Sequence, residues 1–134
     1  MNMEEQKGLI CLVEDNKSIS KLFATILRKN GYDAIEFDNA NSALEWLQNN
    51  KPYCVLTDVL LPDMNGTELL EKIRGIKSLE QVPVIAITGL AQPGDEAKLI
   101  AAGFDGYMSK PINVATFVQD IENIVNNKNQ SKNG

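Results

Sequence analysis

The sequence predicts an α/β protein built on a doubly wound parallel sheet of five strands with five helices. Two observations carry this prediction. Short apolar runs alternate along the chain with segments whose apolar residues recur at helical spacing, the pattern of repeated strand–helix units. The first, third and fourth runs are apolar at most positions, as in central strands that are covered on both faces. A length of 134 residues suits one domain.

Five segments are predicted to be strands because they are short, apolar and bounded by polar residues. Four of them are rich in β-branched or aromatic residues, and the last is weaker. In chain order they are Leu9–Val13, Ala34–Phe37, Tyr53–Thr57, Val82–Thr88 and Gly106–Ser109.

Each predicted strand is followed by a predicted helix. The apolar stripes that define these helices lie at Ile19–Leu27, Ala43–Leu47, Leu69–Ile73, 94–102 and Val114–Val125. Candidate N-caps are Asn41 or Ser42 for the second helix and Asn113 for the fifth.

The chain ends are predicted to lie outside the folded domain, which spans residues 8–126. Residues 1–7 and 127–134 are polar and offer few side chains for a core, so both are expected to be disordered extensions. No linker or second domain is expected between them.

Charge and composition exclude several classes of function. The chain carries 13 cationic and 18 anionic residues, a net charge of −5, which argues against nucleic-acid binding. It contains no histidine, which excludes histidine-based triads, histidine-ligated zinc and a phosphohistidine on this chain. No apolar stretch approaches the length of a membrane span, and the acidic start does not resemble a signal peptide, so we expect a cytoplasmic protein without membrane contact.

The two cysteines, Cys11 and Cys54, lie inside predicted strands. Their spacing matches no zinc or redox motif, and both are expected to be free, buried thiols. Cys11 stands four residues before Asp15 and Cys54 four before Asp58. If those two aspartates are neighbours, the thiols should face each other across adjacent strands.

Polar side chains that can bind a ligand or take part in a reaction lie at the ends of four of the predicted strands. Glu14 and Asp15 follow the first strand, Asp58 the third, Thr88 ends the fourth and Lys110 follows the fifth. Open α/β sheets bind their ligands at the carboxyl ends of the strands, so these groups are expected to converge. Singly, each is more often a helix cap than a functional group, but four converging strand ends are hard to explain as caps.

The convergence also predicts the order of the strands. Adjacent strands lie about 4.8 Å apart and second neighbours nearly 10 Å. Asp15 and Asp58 can share one small ligand only if the first and third strands are adjacent. The second strand must then lie outside the first, which gives the order 2-1-3-4-5.

The predicted cleft is strongly acidic. Two charges about 5 Å apart repel by roughly 3 kcal/mol at an effective dielectric of 20. Lys110 or a hard divalent cation can offset the repulsion between Glu14, Asp15 and Asp58, and an all-oxygen site suits Mg²⁺. Such a site can handle a phosphoryl group, with Asp58 attacking phosphorus in line.

Four motifs resemble those of the receiver domain of bacterial two-component response regulators. They are VEDN at 13–16, TDVLLPDMNG at 57–66, AITG at 86–89 and GYMSKP at 106–111, and the resemblance covers about residues 8–126. It implies the flavodoxin-like, chemotaxis-regulator-like fold. The length is similar to that of stand-alone, single-domain receivers of the cell-cycle type.

The resemblance implies a phosphoacceptor and a magnesium site. Asp58 would accept the phosphoryl group, and Asp58 and Asp15 would bind Mg²⁺ directly. Glu14 would contact the metal mainly through water, and the backbone carbonyl of Leu60 would complete the protein ligands. Pro62, Asp63 and Gly66 would shape the loop that follows the acceptor.

The resemblance also implies how the modified state is recognised. Lys110 would contact a phosphoryl oxygen and, with Asp58 and Thr88, form the catalytic set; the Lys110–Pro111 bond would be cis. Thr88 would hydrogen-bond the phosphoryl group, and Tyr107 would be the aromatic switch residue.

The implied function is that of a phosphorylation-dependent switch, not of a turnover enzyme. The phosphoryl donor would be a phosphohistidine on a sensor histidine kinase or histidine phosphotransfer protein, and the output would be binding to a downstream protein. A phosphorylation-independent pseudo-receiver is the alternative, against which the complete set of acidic, hydroxyl and lysine groups argues. A magnesium-dependent phosphohydrolase should carry Asp where Leu60 stands, and an FMN-binding domain needs a Ser/Thr/Gly-rich loop after the first strand.

Overall fold

The structure, a computed structural model, describes residues 7–89 and 93–133, and strands alternate with helices along them as predicted. The strands are β1 (Gly8–Val13), β2 (Tyr32–Phe37), β3 (Cys54–Asp58), β4 (Val84–Thr88) and β5 (Gly106–Ser109). The α-helices are α1 (Lys17–Lys29), α2 (Ala40–Leu47), α3 (Gly66–Arg74), α4 (Asp95–Ala102) and α5 (Phe117–Asn133). A single 3-10 turn, Lys77–Leu79, connects α3 to β4.

The five strands form one parallel sheet in the order β2-β1-β3-β4-β5, which confirms the predicted fold and topology. Since the strands are parallel, all five end at one side of the sheet, which we call the carboxyl edge. The side at which they begin is the amino edge. β1 and β3 are adjacent, so the residues that follow them meet at the carboxyl edge.

Helices cover both faces of the sheet. One core cluster joins the sheet to α1 and α5 through buried side chains that include Phe23, Leu27, Phe117 and Ile121. The second cluster joins the opposite face to α2, α3 and α4 through side chains that include Ala43, Leu47, Leu69, Ile73 and Leu99. Among the described residues, no helix is both long enough and apolar enough to cross a membrane.

The cysteines are free and buried as predicted, but they do not face each other. Ile10 is the β1 residue paired with Cys54, and Cys11 is paired with Val55. Side chains alternate between faces along a strand, so this single step places the thiols on opposite faces. Cys11 packs with the α2–α4 cluster and Cys54 with the α1–α5 cluster. Burial raises the pKa of the Cys11 thiol to about 12 and also raises that of Cys54.

Three predicted starts are wrong by a few residues. β2 begins at Tyr32 instead of Ala34. α2 begins at Ala40, with Asn39 as N-cap, instead of at a cap on Asn41 or Ser42. The Asn39 side chain accepts from the Ser42 amide at 2.8 Å, so the cap lies earlier than the apolar stripe indicated. β4 begins at Val84 instead of Val82, because the intervening Pro83 has no amide to donate to a neighbouring strand.

The fifth helix also differs from the prediction. Asn113 caps a turn, accepting from the Ala115 amide at 3.0 Å, and α5 begins only at Phe117. Residues 127–133, for which the sequence predicted a disordered tail, continue α5 as far as Asn133 in the structure. The extension is held by Lys128, whose Nζ lies 2.8 Å from Asp105 Oδ1.

The predicted N-terminal extension, residues 1–7, lies outside the described residues except for Lys7. The Lys7 amide donates to the Gly31 carbonyl at 2.7 Å. This hydrogen bond continues the alignment of β1 with β2 by one residue beyond the strand.

Candidate functional site

Two carboxylates stand where β1 turns into α1. The Glu14 amide still donates to the Phe37 carbonyl at 2.9 Å, so the chain stays aligned with β2 for one residue beyond the strand. Asn16 then caps α1 by accepting the amide three residues later at 3.1 Å. This tight turn leaves the Glu14 side chain buried, with 4% exposed, and places Asp15 at the surface.

Asp58 is the last residue of β3 and reaches the same cleft. Continuing the β1–β3 register by one residue places Glu14, not Asp15, beside it. One carboxylate oxygen, Oδ1, accepts the Leu60 amide at 3.2 Å, and Oδ2 accepts Lys110 Nζ at 2.9 Å. The Asp58 side chain is thus oriented by the loop that follows it and by a lysine that follows β5.

Lys110 bridges two of the carboxylates. Its Nζ lies 2.6 Å from Glu14 Oε1 and 2.9 Å from Asp58 Oδ2. Burial acts to lower the pKa of this lysine, but hydrogen bonds to Glu14 and Asp58 and the attraction of their charges raise it above its usual value. The ammonium therefore stays protonated at neutral pH. The Lys110–Pro111 peptide bond is cis, as the family resemblance implied.

The three carboxylates of Glu14, Asp15 and Asp58 fit a hard divalent cation. One oxygen from each lies within 4.8 Å of the others, close enough to share one ion. Lys110 supplies a single positive charge to this group, which leaves two negative charges uncompensated. An all-oxygen donor set with uncompensated charge is what Mg²⁺ prefers.

Both oxygens of Glu14 accept a hydrogen bond, as both oxygens of Asp58 do. Oε1 accepts from Lys110, and Oε2 accepts the Asn16 amide at 3.0 Å. Asp15, in contrast, is exposed. This difference suits the division of roles in which Asp15 contacts the metal directly and Glu14 through water, which stays a prediction.

Leu60 lies at the start of the β3–α3 loop. It forms an isolated antiparallel bridge with Asn65, which narrows the loop to a hairpin-like turn. Its side chain is exposed, at 55%, so the contribution expected of this residue is its backbone carbonyl. Its role as a metal ligand also stays a prediction.

Thr88 and Tyr107 lie on the two strands beyond Asp58. Thr88 ends β4 one register step beyond the pairing of Asp58 with Ile87, and it lines a cleft of about 240 Å³ together with Leu60 and residues of α4. Tyr107 on β5 is half-buried and packs against the α2–α4 cluster. The two residues therefore share the α4 side of the sheet, although they lie on different strands.

One residue has a partner that the sequence did not indicate. Asp63 was assigned only to the shape of the β3–α3 loop, and its carboxylate accepts the amides of Ala40 and Asn41 at 2.9 and 2.8 Å. Since these amides lie more than 20 residues earlier, no local pattern pairs them with Asp63. The sequence did offer one indication of where α2 begins, the polar residues Asp38 and Asn39 directly before the helix, but it gave none that Asp63 contacts this helix.

Comparison with known proteins identifies the family of this arrangement. The family model described as "Response regulator receiver domain" matches residues 10–122. The polar-differentiation response regulator DivK of Brucella anthropi is 34% identical over 113 residues, which cover 84% of this chain and 92% of that protein. DivK of Brucella ovis matches with the same identity and coverage.

Solved structures agree in fold. A CheY-like response regulator receiver domain protein from Methanospirillum hungatei has a TM-score of 0.81 at 29% identity, covering 92% of this chain and 97% of that one. The receiver domain of a Pseudomonas aeruginosa sensor histidine kinase has a TM-score of 0.80 at 27% identity, covering 89% and 98%. That second structure contains a magnesium ion coordinated in its active site cleft.

Proposed function

The chain belongs to the response regulator receiver domain family, and we propose that it is a cytoplasmic phosphorylation switch with Asp58 as its acceptor. The phosphoryl donor is a phosphohistidine on a sensor histidine kinase or on a histidine phosphotransfer protein. The output is a change in binding to a downstream protein. The observation that carries this proposal is the position of Asp58, held between Lys110 and the other two carboxylates at the carboxyl edge.

The transfer is a single displacement at phosphorus. An Asp58 oxygen forms the new bond to phosphorus while the bond from phosphorus to the donor imidazole nitrogen breaks. The electron pair of the broken bond stays on that nitrogen. Lys110, which already donates to Asp58 Oδ2, is placed to stabilise negative charge on the transferred oxygens. Because the acceptor is part of the chain, each molecule modifies itself once.

Glu14, Asp15, Asp58 and the Leu60 carbonyl are the groups that would hold Mg²⁺. When bound, the ion supplies positive charge that draws the phosphoryl oxygens and the Asp58 carboxylate together. The uncompensated negative charge of the cleft favours this binding and opposes the approach of an anionic donor without it.

Replacement of the acceptor tests the proposal directly. Asp58→Asn should abolish phosphoryl uptake from acetyl phosphate or a phosphorylated histidine kinase, measured by intact-mass spectrometry with and without a chelator. Asp38→Asn is the matched control, because Asp38 is an exposed carboxylate at the same edge, after the outermost strand. Uptake by the Asp58 variant would move the acceptor elsewhere, and absence of uptake by the unmodified chain would favour the pseudo-receiver.

The output is proposed to pass through Thr88 and Tyr107. New oxygens on Asp58 offer acceptors to Thr88 on the neighbouring strand, and a shift of the loop after β4 changes the space beside Tyr107. The surface formed by α4, β5 and α5 changes with it. A tenfold change in population requires about 1.4 kcal/mol of differential interaction.

Amide-shift mapping with beryllofluoride tests this output. Shifts should extend from the cleft to Tyr107, α4 and α5, and Thr88→Ala should reduce these distant shifts while Asp58 still takes up phosphate. Shifts that stay within the carboxylate cleft would contradict the proposed route.

A further inference from the structure

The loop after the phosphoacceptor strand is fastened to α2 by one carboxylate. Asp63 Oδ1 accepts the Ala40 amide at 2.9 Å, and Oδ2 accepts the Asn41 amide at 2.8 Å. Asn39 accepts the Ser42 amide, so side chains receive the first three amides of the helix. Burial acts to raise the pKa of Asp63, but hydrogen bonds from backbone amides lower it below its usual value.

The base of the same loop is fixed to the acceptor. The Leu60 amide donates to Asp58 Oδ1 at 3.2 Å, and the Gly66 amide donates to the Val59 carbonyl at 2.6 Å. A Cβ on Gly66 would lie only 2.8 Å from the Asp58 backbone oxygen, so the start of α3 rests directly on the acceptor's own backbone. The position of the Leu60 carbonyl therefore depends on how the loop is held at both ends.

Together these contacts form a ring around the carboxylate cleft. The Glu14 amide joins β1 to Phe37 at 2.9 Å, and α2 follows closely in the chain. Asp63 joins the start of α2 to the β3–α3 loop, and the loop is joined to Asp58. Lys110 closes the ring because its Nζ contacts both Asp58 and Glu14. Asp63 supplies the step of this ring between the loop and α2.

We propose that Asp63 is a positioning residue for the divalent cation: it holds the β3–α3 loop against α2 so that the Leu60 carbonyl faces the carboxylates. The proposal rests on the proposed function in taking Mg²⁺ as the cofactor. Outer-shell contacts that orient metal ligands commonly change metal affinity by 10–100-fold when they are removed. Asp63 is at the surface, so an effect of about tenfold, at the lower end of that range, is expected.

The test measures Mg²⁺ affinity in the unphosphorylated protein. Amide signals of residues 14–16 and 58–60 are followed during titration with MgCl₂ for the unmodified chain, Asp63→Ala and Asp63→Asn. Asp63→Ala removes both acceptors and should raise the dissociation constant about tenfold. Asp63→Asn keeps one acceptor oxygen and should give an intermediate rise, and it decides the question if the alanine variant does not fold.

Two controls separate positioning from other effects of the substitution. Asn39→Ala removes a hydrogen bond from the same end of α2 without touching the loop. Asp38→Asn removes one negative charge from the carboxyl edge; Asp38 accepts a hydrogen bond from the Asn39 side chain, and the substitution keeps an oxygen that can still accept it. Both should change the magnesium dissociation constant by less than about twofold, against the tenfold expected of a lost positioning contact.

Each pattern of results decides the proposal. An affinity unchanged in the Asp63 variants would overturn it, as would an equal loss in Asn39→Ala, which would mean general fraying of α2, or in Asp38→Asn, which would mean charge alone. Saturating Mg²⁺ should restore the rate of phosphoryl uptake by Asp63→Ala, which a general loss of structure would not allow. Because metal affinity is measured before any transfer, a chain that binds Mg²⁺ but takes up no phosphate would refute the proposed function and still decide the role of Asp63.

Discussion

The two edges of the sheet both hold charged side chains, but they hold them differently. At the carboxyl edge one lysine contacts two of the three carboxylates, and two negative charges are left uncompensated. At the amino edge Asp105 receives Arg74 Nη2, Lys128 Nζ and the Val84 amide, each at 2.8 Å. The first arrangement has fewer cations than carboxylates, and the second has two cations for its one carboxylate.

A second group at the amino edge also pairs its carboxylate, that of Glu122, with a cation. The Tyr32 hydroxyl donates to Glu122 Oε2 at 2.7 Å, and Lys7 Nζ lies 3.7 Å from the same oxygen. Both groups join α5 to the start of the sheet. At the amino edge, charged side chains pair with each other and so hold elements together. At the carboxyl edge, carboxylates outnumber cations, an arrangement that favours binding of a positively charged ligand.

The largest expected effect is the loss of Arg74. This side chain donates to Asp105 and also to the Leu79 and Val82 carbonyls, at 3.0 and 2.9 Å. Arg74→Ala leaves these groups short of donors and should lower the free energy of unfolding by about 3 kcal/mol. Urea denaturation measures the loss, and Arg74→Lys, which keeps the charge but not the fork of donors, should lose less. A cost below about 1 kcal/mol, the value of a single ordinary hydrogen bond, would remove the contrast between the edges.

Next in size is the effect of Mg²⁺ at the carboxyl edge. A concentration of 100 times the dissociation constant should raise the free energy of unfolding by about 2.7 kcal/mol. Asp15→Asn should largely remove this rise, and without metal it should be no less stable than the unmodified chain, because it removes one of the uncompensated charges. Thermal melts with MgCl₂ or a chelator measure both quantities. Arg74→Ala is the control that should keep the rise, and a full rise in the Asp15 variant would place the metal elsewhere.

The smallest expected effect is that of Tyr32→Phe. The change keeps the ring and removes the hydrogen bond to Glu122, so it should cost about 1 kcal/mol at neutral pH. Burial and hydrogen bonding to Tyr53 and Glu122 raise the pKa of Tyr32, so the hydroxyl stabilises the fold below pH about 10 and this contribution is lost as the pH rises further.

The pH dependence of unfolding separates the tyrosine from its neighbours. The Phe variant should lose less stability than the unmodified chain between neutral and strongly alkaline pH. Tyr53 remains in the variant with its pKa also raised by burial, so part of the alkaline loss should persist. Parallel pH profiles for the two proteins would show that the Tyr32 hydroxyl does not couple to folding.

Much of the carboxyl edge could be predicted from the sequence, and little of the amino edge. Glu14, Asp15, Asp58 and Lys110 each follow a strand that its apolar run makes recognisable, and parallel strands bring their ends together. Asp105, in contrast, lies in the short turn before β5, and the residues around it do not indicate which cations will pair with its carboxylate.

Several errors and omissions in the prediction concern contacts between residues that are distant in the sequence. Asp63 accepts a hydrogen bond from the start of α2, and Lys128 donates one to Asp105. Each contact joins residues more than 20 positions apart in the sequence, so it depends on how the helices pack against the sheet. The polar composition of the predicted tail gave no indication that Lys128 pairs with the partly buried Asp105. The predicted cysteine contact failed because the β1–β3 register differs by one residue from the one assumed.

The sequence by itself determined the alternation of elements, the strand order and the residues that meet at the carboxyl edge, because periodicity and strand ends are local properties of the chain. The tertiary structure decided the register, the partner of each buried charge and the length of α5. These depend on packing in three dimensions, where one step along a strand moves a side chain to the other face of the sheet. Cys11 and Cys54 were therefore predictable as buried thiols, and only the fold could place them on opposite faces.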